Sequence, residues 1–343
     1  MTTVTFFSKR DPYIIAEVGQ NHQGSVESAF DYVKRFAFEG ADAVKFQVRD
    51  NRYLFSSEAY NKPYESENAF APTYGAHREH LELSHEEILR VKKCCDDNSV
   101  DFIATPFDEP SLDFLVSINT AALKVASFDL GNLPFLHLFS KSGLPVVISC
   151  GGGNDEQIEA SLDVLSTSAA EIAVLHCVSE YPCKYNRLGL LRVKELSEKY
   201  PSLVIGSSDH FNGTLSGPVA RLLGAKVFEK HVTLNRSWQG TDHSFALEPD
   251  GFRRFARDIR RVNNMLPAKP NDDLGSEPVF KKLGKSLIVN RDMQVGEQIN
   301  ASDLSGRIFT ENYVPVRESL NFIGKILTKP ISKGSWITYE FIK

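Results

Sequence analysis

Eight short apolar runs, separated by polar breaks and stretches of helical spacing, fill residues 13–232 and leave few folds open to this chain. They are YIIAEV (13–18), AVKFQV (43–48), DFIATPF (101–107), ALKVAS (122–127), PVVISC (145–150), IAVLHC (172–177), LVIGSS (203–208) and AKVFEKHV (225–232). Strands buried on both faces and joined by crossover helices make a parallel sheet, and eight of them are the number that closes a barrel. The eighth helix is predicted in GFRRFARDIRRVNNML (251–266). In SHEEILRVKKCC (84–95), Ser84 is the expected N-cap, with Glu87 three residues on at capping-box spacing. The fold class is therefore α/β, a (β/α)8 TIM barrel over residues 1–266.

Two segments break this rhythm. Residues 50–83 are rich in Tyr, Asn, Ser, Glu and Pro and too long for an ordinary βα loop, so an excursion over the barrel mouth is expected. The composition changes again at PAKPNDDLGSEP (267–278), so residues 267–282 are predicted as a linker. Beyond it, GKSLIVNRDMQVGEQI (284–299) and GKILTKPISKGSWI (324–337) are alike, each a Gly-Lys, a β-run, a Gly turn and another β-run. Residues 283–343 are accordingly predicted as a small β-rich module.

A net charge of -5 without any long Lys/Arg run argues against a nucleic-acid or membrane-surface partner. No stretch of about 18 apolar residues occurs, and the N-terminus lacks the charged and apolar regions of a secretory signal. The five cysteines, Cys94, Cys95, Cys150, Cys177 and Cys183, are odd in number and lack zinc-type spacing. A cytoplasmic protein with reduced thiols is expected.

The polar residues at the end of each apolar run carry the chemistry. The strand ends bear Glu17 with Asn21 and His22, Lys45 with Gln47, Thr105 with Asp108, Lys124 with Ser127, then Ser149. The last three bear His176 with Ser179 and Tyr181, Ser208 with Asp209 and His210, and Glu229 with His231. Polar residues follow apolar runs in many α/β proteins, but eight such ends in one barrel point to a shared polar pocket at its C-terminal mouth. His210 and His231 end neighbouring strands, about 4.8 Å apart, so two imidazoles can share one divalent metal, with Asp209 or Glu229 orienting a ligand. A lysine inside an apolar strand, as Lys45 and Lys124 are, is costly to bury unless it faces an anion. A Schiff-base aldolase also places a lysine there. The two lysines together with hydroxyls at Thr105, Ser127, Ser149 and Ser208 favour a phosphate and carboxylate cradle, to which GGGN (151–154) adds backbone donors.

In order and in register, AEVGQNHQGS (16–25), VKFQ (44–47), ATPFD (104–108), LKVAS (123–127), LHCVSEYP (175–182), GSSDHFNG (206–213) and GAKVFEKHVTLNRSWQGTDHSFALEP (224–249) resemble the bacterial sialic acid synthases. The tail resembles that family's antifreeze-like (SAF) domain through RDMQVGEQI (291–299) and IGKILTKPISKGSWI (323–337). The resemblance implies metal-dependent condensation of phosphoenolpyruvate with N-acetylmannosamine or a related N-acyl amino sugar, by C–O cleavage with release of phosphate. It implies a domain-swapped homodimer whose tail covers the partner's barrel. By matching positions, Lys45, Thr105, Lys124, Ser127, Ser149, Ser179 and Ser208 go to phosphoenolpyruvate, and His210 and His231 to manganese, or to magnesium or cobalt. Gln47, Tyr181 and Asp242 go to the sugar, and Glu17 to a proton or the attacking water. Ser149-Cys150-Gly151-Gly152 stands where the family usually has Ser-Thr-Gly, and Ser179 where some members have Asn. Arg307, in DLSGRIFTEN (303–312), matches the tail arginine that reaches the partner's sugar, although the usual Arg-Pro and Gly-rich loop are absent. Two other reactions compete: a Schiff-base aldolase on Lys124 or Lys45, and a synthase acting on a phosphorylated sugar, which requires a further phosphate site in the barrel.

Overall fold

Side chains alternate across a strand, so a strand in a closed barrel gives every second residue to the interior and the others to the surrounding helices. The computed structural model describes residues 6–7, 10–273 and 275–343. Its strands are β1 (Tyr13–Gly19), β2 (Ala43–Val48), β3 (Asp101–Pro106), β4 (Ala122–Val125), β5 (Val146–Ser149), β6 (Ile172–Cys177), β7 (Val204–Asp209) and β8 (Val227–His231). They pair in parallel in sequence order, and β1 closes the barrel against β8 with Ile15 opposite Glu229 and Glu17 opposite His231. The chain is thus a (β/α)8 barrel followed by a small β-rich unit.

Inside the barrel the interior positions sort by depth. Tyr13, Ile15, Ala43, Ile103, Ala122, Val147, Ala173, Leu175 and Val227 form an apolar floor, joined by Phe7. Two residues further along the strands the inward positions turn polar, at Glu17, Lys45, Thr105, Lys124, Ser149, Cys177 and Glu229. The outward positions pack against the helices in a second, larger core that includes Val44, Phe46, Phe102, Leu123, Phe252 and Phe255. At Gly206 on β7 an added Cβ would run into the Val227 carbonyl and Leu175, so glycine is what lets β7 approach β8.

Ser84 caps the helix His85–Asp97 in the capping box read from the sequence, and helix Pro249–Val262, after the last barrel strand, is the predicted eighth helix. Residues 50–83 form three short helices, Asn51–Leu54, Ser57–Asn61 and Tyr74–His80. Among the described residues no helix is long and apolar enough to cross a membrane, and all five cysteines are free thiols.

The chain divides into two compact units, Met1–Leu266 and Pro267–Lys343. Where the sequence suggests only linker, Pro278–Leu283 is a single helical stretch with proline in its first turn, too short to show an apolar period. In the second unit β9 (Ser286–Val289) and β10 (Leu304–Arg307) are antiparallel. The two similar stretches bridge each other, Met293 to Ile331 and Gln298 to Ile326, around a core of Leu287, Val289, Met293, Phe322, Leu327 and Ile337.

Candidate active site

The polar inward layer encloses a cavity of about 70 Å³ at the C-terminal ends of the strands. Glu17, Lys45, Gln47, Thr105, Lys124, Ser127, Ser149, Tyr181, Ser208, His210 and His231 all line it, together with Glu229, Cys177, Phe107 and Phe128. Lys45 Nζ lies 2.8 Å from Glu17 Oε2 and 3.6 Å from Glu229 Oε1, and donates to Thr105 Oγ1 at 3.1 Å. Burial works against the Lys45 charge, but the two carboxylates outweigh it and its pKa is raised. Lys124 has no carboxylate within ion-pair distance among the described residues, and its ammonium donates only to the Val125 carbonyl, at 3.0 Å. Burial lowers its pKa. An anion is the partner this second lysine lacks.

Burial would raise the Glu229 carboxyl, yet Lys124, Lys45 and the two histidines bring it well below the usual carboxylate range. Ser208 donates to it at 3.2 Å, and Gln47 Nε2 donates to Glu17 Oε1 at 2.9 Å. The Ser149 hydroxyl is buried without a hydrogen-bond partner, facing the cavity. Ser127 Oγ accepts from the Gly151 amide at 3.1 Å. A Cβ on Gly151 would meet Ser179 Oγ, and Ser127 Oγ at 2.7 Å, so the bare backbone gathers these hydroxyls.

The imidazole rings of His210 and His231 lie with centroids 5.3 Å apart, Tyr181 stands 4.0 Å from His210, and Phe245 packs on both histidines. His210 Nδ1 donates to the Val178 carbonyl at 2.8 Å, which leaves Nε2 with a free lone pair. Burial and the neighbouring His231 lower its pKa to about 4, so it is neutral and ready to ligate. His231 Nδ1 is buried and lacks a hydrogen bond, with Asp242 Oδ2 3.7 Å away. Among the described residues no cluster of three or more His, Cys, Asp and Glu side chains suits a metal. Two imidazoles still fit one, provided water and substrate oxygens complete the shell. The charge count points the same way: two lysines face two carboxylates, Glu17 and Glu229, both of which pair with Lys45, so a bound cation would add positive charge toward an anionic substrate.

Above this cavity lies a chamber of about 690 Å³ that shares Gln47, Phe107, Phe128, Tyr181 and His231 with it and adds Asp242, Thr241, Asn68, Arg49 and Arg78. Phe55, Asn68, Tyr74 and Arg78 of its wall come from the 50–83 excursion. Gln47 and Tyr181 thus stand at the junction of the two spaces with Asp242 on the chamber side, and the hydroxyls of Ser179 and Ser127 both border Gly151. Arg307 lies on β10 in the second unit.

Several strand-end residues do not face the site, and for the two that lie within strands, His176 and Asp209, the period of two explains it. His176 points outward from β6, its Nε2 2.7 Å from the Leu188 carbonyl, and Cys177 takes the inward place. Asp209 also points outward, to Lys230 at 2.7 Å, so of the two acids considered as orienting groups only Glu229 enters the cavity. Asn21 donates to the Val232 carbonyl at 2.9 Å, and Asp108 caps the helix Glu109–Ser117. His22 is buried beside Phe46.

Over residues 32–270 the chain matches the NeuB family. The N-acetylneuraminate-9-phosphate synthase of Homo sapiens is 31% identical over 331 residues, covering 96% of this chain and 92% of its own. The N,N'-diacetyllegionaminic acid synthase of Legionella pneumophila is 30% identical over 340 residues, covering 96% and 94%. A crystal structure of the N-acetylneuraminic acid (sialic acid) synthetase of Leptospira borgpetersenii, in complex with citrate, superposes with a TM-score of 0.68 at 29% identity, covering 78% of this chain and 90% of that one. With the family matched across the barrel and its relatives aligned along nearly the whole length, the chain belongs to the NeuB family and is an enzyme of the sialic acid synthase type.

Proposed function

We propose that the enzyme condenses phosphoenolpyruvate with the aldehyde end of an N-acyl amino sugar such as N-acetylmannosamine, giving a nine-carbon sialic-acid-type sugar and phosphate. The observation that carries this reading is the buried cavity in which Lys124, lacking a carboxylate partner, lies with two histidines whose rings are 5.3 Å apart. Relatives that make sialic-type and legionaminic-type acids support it.

In this reading Lys45 and Lys124 bind the phosphate and carboxylate of phosphoenolpyruvate, and Thr105, Ser127, Ser149, Ser179 and Ser208 supply hydroxyl donors. His210 and His231 would hold a divalent cation, manganese first and magnesium or cobalt as alternatives, which when bound supplies Lewis acidity toward a carbonyl oxygen. Gln47, Tyr181 and Asp242 orient the sugar so that its C1 meets the C3 methylene of phosphoenolpyruvate. The enol double bond provides the electrons of the new C–C bond and leaves C2 cationic. Water adds to C2 and gives one proton to Glu17; the C2–O bond to phosphate then breaks, the remaining hydroxyl proton passing to the departing phosphate, to leave the ketone. The proton held by Glu17 is returned to the former aldehyde oxygen, which ends as a hydroxyl.

The same reading extends to assembly. The chain works as a domain-swapped homodimer in which the 283–343 unit, an antifreeze-like domain, covers the partner's barrel and brings Arg307 to its sugar.

Phosphate release from phosphoenolpyruvate, measured with N-acetylmannosamine, the 6-deoxy-diacetamido precursors of legionaminic and pseudaminic acids, and phosphorylated amino sugars, tests the proposal. At least one acceptor should support turnover that EDTA stops and manganese restores. Covalent trapping of pyruvate by borohydride, with turnover indifferent to EDTA, would instead establish the Schiff-base reaction.

A further inference from the structure

Glu17, the group proposed to move the proton, is held at both carboxylate oxygens by alternate residues of β2. Lys45 Nζ lies 2.8 Å from Glu17 Oε2, and Gln47 Nε2 donates to Glu17 Oε1 at 2.9 Å. Arg49, two residues further on the same side of the strand's continuation, extends the series: its Nη2 donates to Gln47 Oε1 at 2.6 Å. Its other contacts fix it in place. The guanidinium lies 3.8 Å over the Phe107 ring, and Nη1 donates to Glu82 Oε1 at 3.2 Å. The Arg49 side chain is 6% exposed, so little water competes for the Gln47 oxygen.

We propose that Arg49 is a positioning residue for the condensation: it sets the amide of Gln47 and, through that amide, the carboxylate of Glu17. This rests on the condensation proposed above. The direction of the hydrogen bonds is forced, because a guanidinium has only donors and an ionised carboxylate only acceptors. The amide between them has to turn its oxygen to Arg49 and its nitrogen to Glu17. Reversed, it would set Nε2 against the guanidinium and Oε1 against the carboxylate, replacing both hydrogen bonds with repulsion. Arg49 is the one donor to Gln47 Oε1 among the described residues, so without it that end of the amide is untethered. Gly19 leaves room for the arrangement. Its φ is +56°, and a Cβ there would lie 3.1 Å from Gln47 Nε2 and 3.2 Å from Glu17 Oε1. Arg49 lines the outer chamber and not the inner cavity, so it reaches the chemistry through Gln47.

The test uses the full-length, manganese-loaded enzyme and follows phosphate release from phosphoenolpyruvate with the best acceptor of the panel above. Arg49→Met alone strands the Glu82 carboxylate, so it is made together with Glu82→Gln, and the Glu82→Gln enzyme is the reference. Relative to that reference, Arg49→Met should lower kcat on the order of 10- to 100-fold and leave the KM for phosphoenolpyruvate unchanged, because a displaced catalytic group costs turnover rather than binding. With Gln47→Ala already present, the same Arg49→Met change should cost less than about twofold, since the amide through which Arg49 acts is gone. An equal loss with and without Gln47, a kcat within about threefold of the reference, or a loss confined to KM overturns the proposal and leaves the condensation standing. If the parent releases no phosphate with any acceptor, the condensation falls, and hydrogen exchange decides the positioning. The side-chain N–H protons of Gln47, assigned in the magnesium-loaded protein by their loss in Gln47→Ala, should then exchange on the order of tenfold faster after Arg49→Met, and an unchanged rate overturns the positioning.

Discussion

Replacing Lys230 with methionine removes an ammonium group that is 1% exposed and lies 2.7 Å from Asp209, itself 4% exposed. The pair sits on the outer faces of β7 and β8, directly behind His210 and His231. Lys230 also donates to the Phe211 carbonyl, while Asp209 accepts from the Phe211 amide at 2.7 Å and from Ser216 Oγ. These bonds clamp the backbone on both sides of His210. Breaking a buried pair by removing one partner costs about 3–5 kcal/mol, because the other charge stays buried. Asp209 keeps two hydrogen bonds after the loss, which puts Lys230→Met near 3 kcal/mol, the lower end of that range. Lys230→Met/Asp209→Asn, with no unpaired charge left, should recover a good part of it. Guanidinium unfolding followed by circular dichroism measures both. Because the clamp holds His210, manganese affinity of the folded Lys230→Met protein, read by electron paramagnetic resonance, should also fall about tenfold, the low end for residues behind a metal ligand. A stability loss under about 1 kcal/mol, or a double variant no better than the single, would refute the reasoning.

Gly151→Ala should raise the KM for phosphoenolpyruvate about tenfold or more, since overpacking costs about 1–3 kcal/mol and the new methyl displaces Ser127 and Ser179; steady-state kinetics with an unchanged KM would rule the cradle out. His22 has its pKa lowered to about 4 by burial, so the unfolded chain takes up this proton first as pH falls. Stability from its neutral form is therefore complete above about pH 6.5 and lost between there and pH 4, by at most about 3 kcal/mol, and His22→Gln should flatten the pH dependence of denaturant midpoints over that window. An equal refolded mixture of Arg307→Ala and Lys124→Ala chains should regain about a quarter of parental turnover, because half of a random pairing is mixed and each mixed dimer has one complete site. No gain over the separate variants argues against a shared site.

The eight strands were legible because burial on both faces leaves an unbroken apolar run, which few other arrangements tolerate. Each predicted run overlaps its strand, and β2 and β6 coincide with theirs. Which of two adjacent polar residues faces inward was not legible, because it depends on how each strand is rotated about its own axis in the closed sheet. His176 and Asp209 look like site residues in the sequence and turn out to serve the outer layer, whereas Cys177 and Glu229 occupy the inside. Arg49 and Arg78 gave no signal at all. They belong to the end of a strand and to an excursion whose three short helices have little periodicity, and only tertiary contacts bring them to one wall.

Lys230 shows what fixes that rotation. On β8, Glu229 and His231 face the cavity and Lys230 between them faces the helices; on β7, Ser208 faces the cavity and Asp209 the helices. Moving either strand by one residue would carry its outward charge into the apolar-floored interior and its catalytic-layer residues against the helices, since side-chain direction reverses with every residue. A Val or Leu at 230 would satisfy burial equally well but would penalise that slip far less, because an apolar residue is at home on either face. The buried Lys230–Asp209 pair tolerates only one face, where each charge has its partner, so the ion pair behind the sheet specifies the register that brings the two histidines within 5.3 Å in front of it.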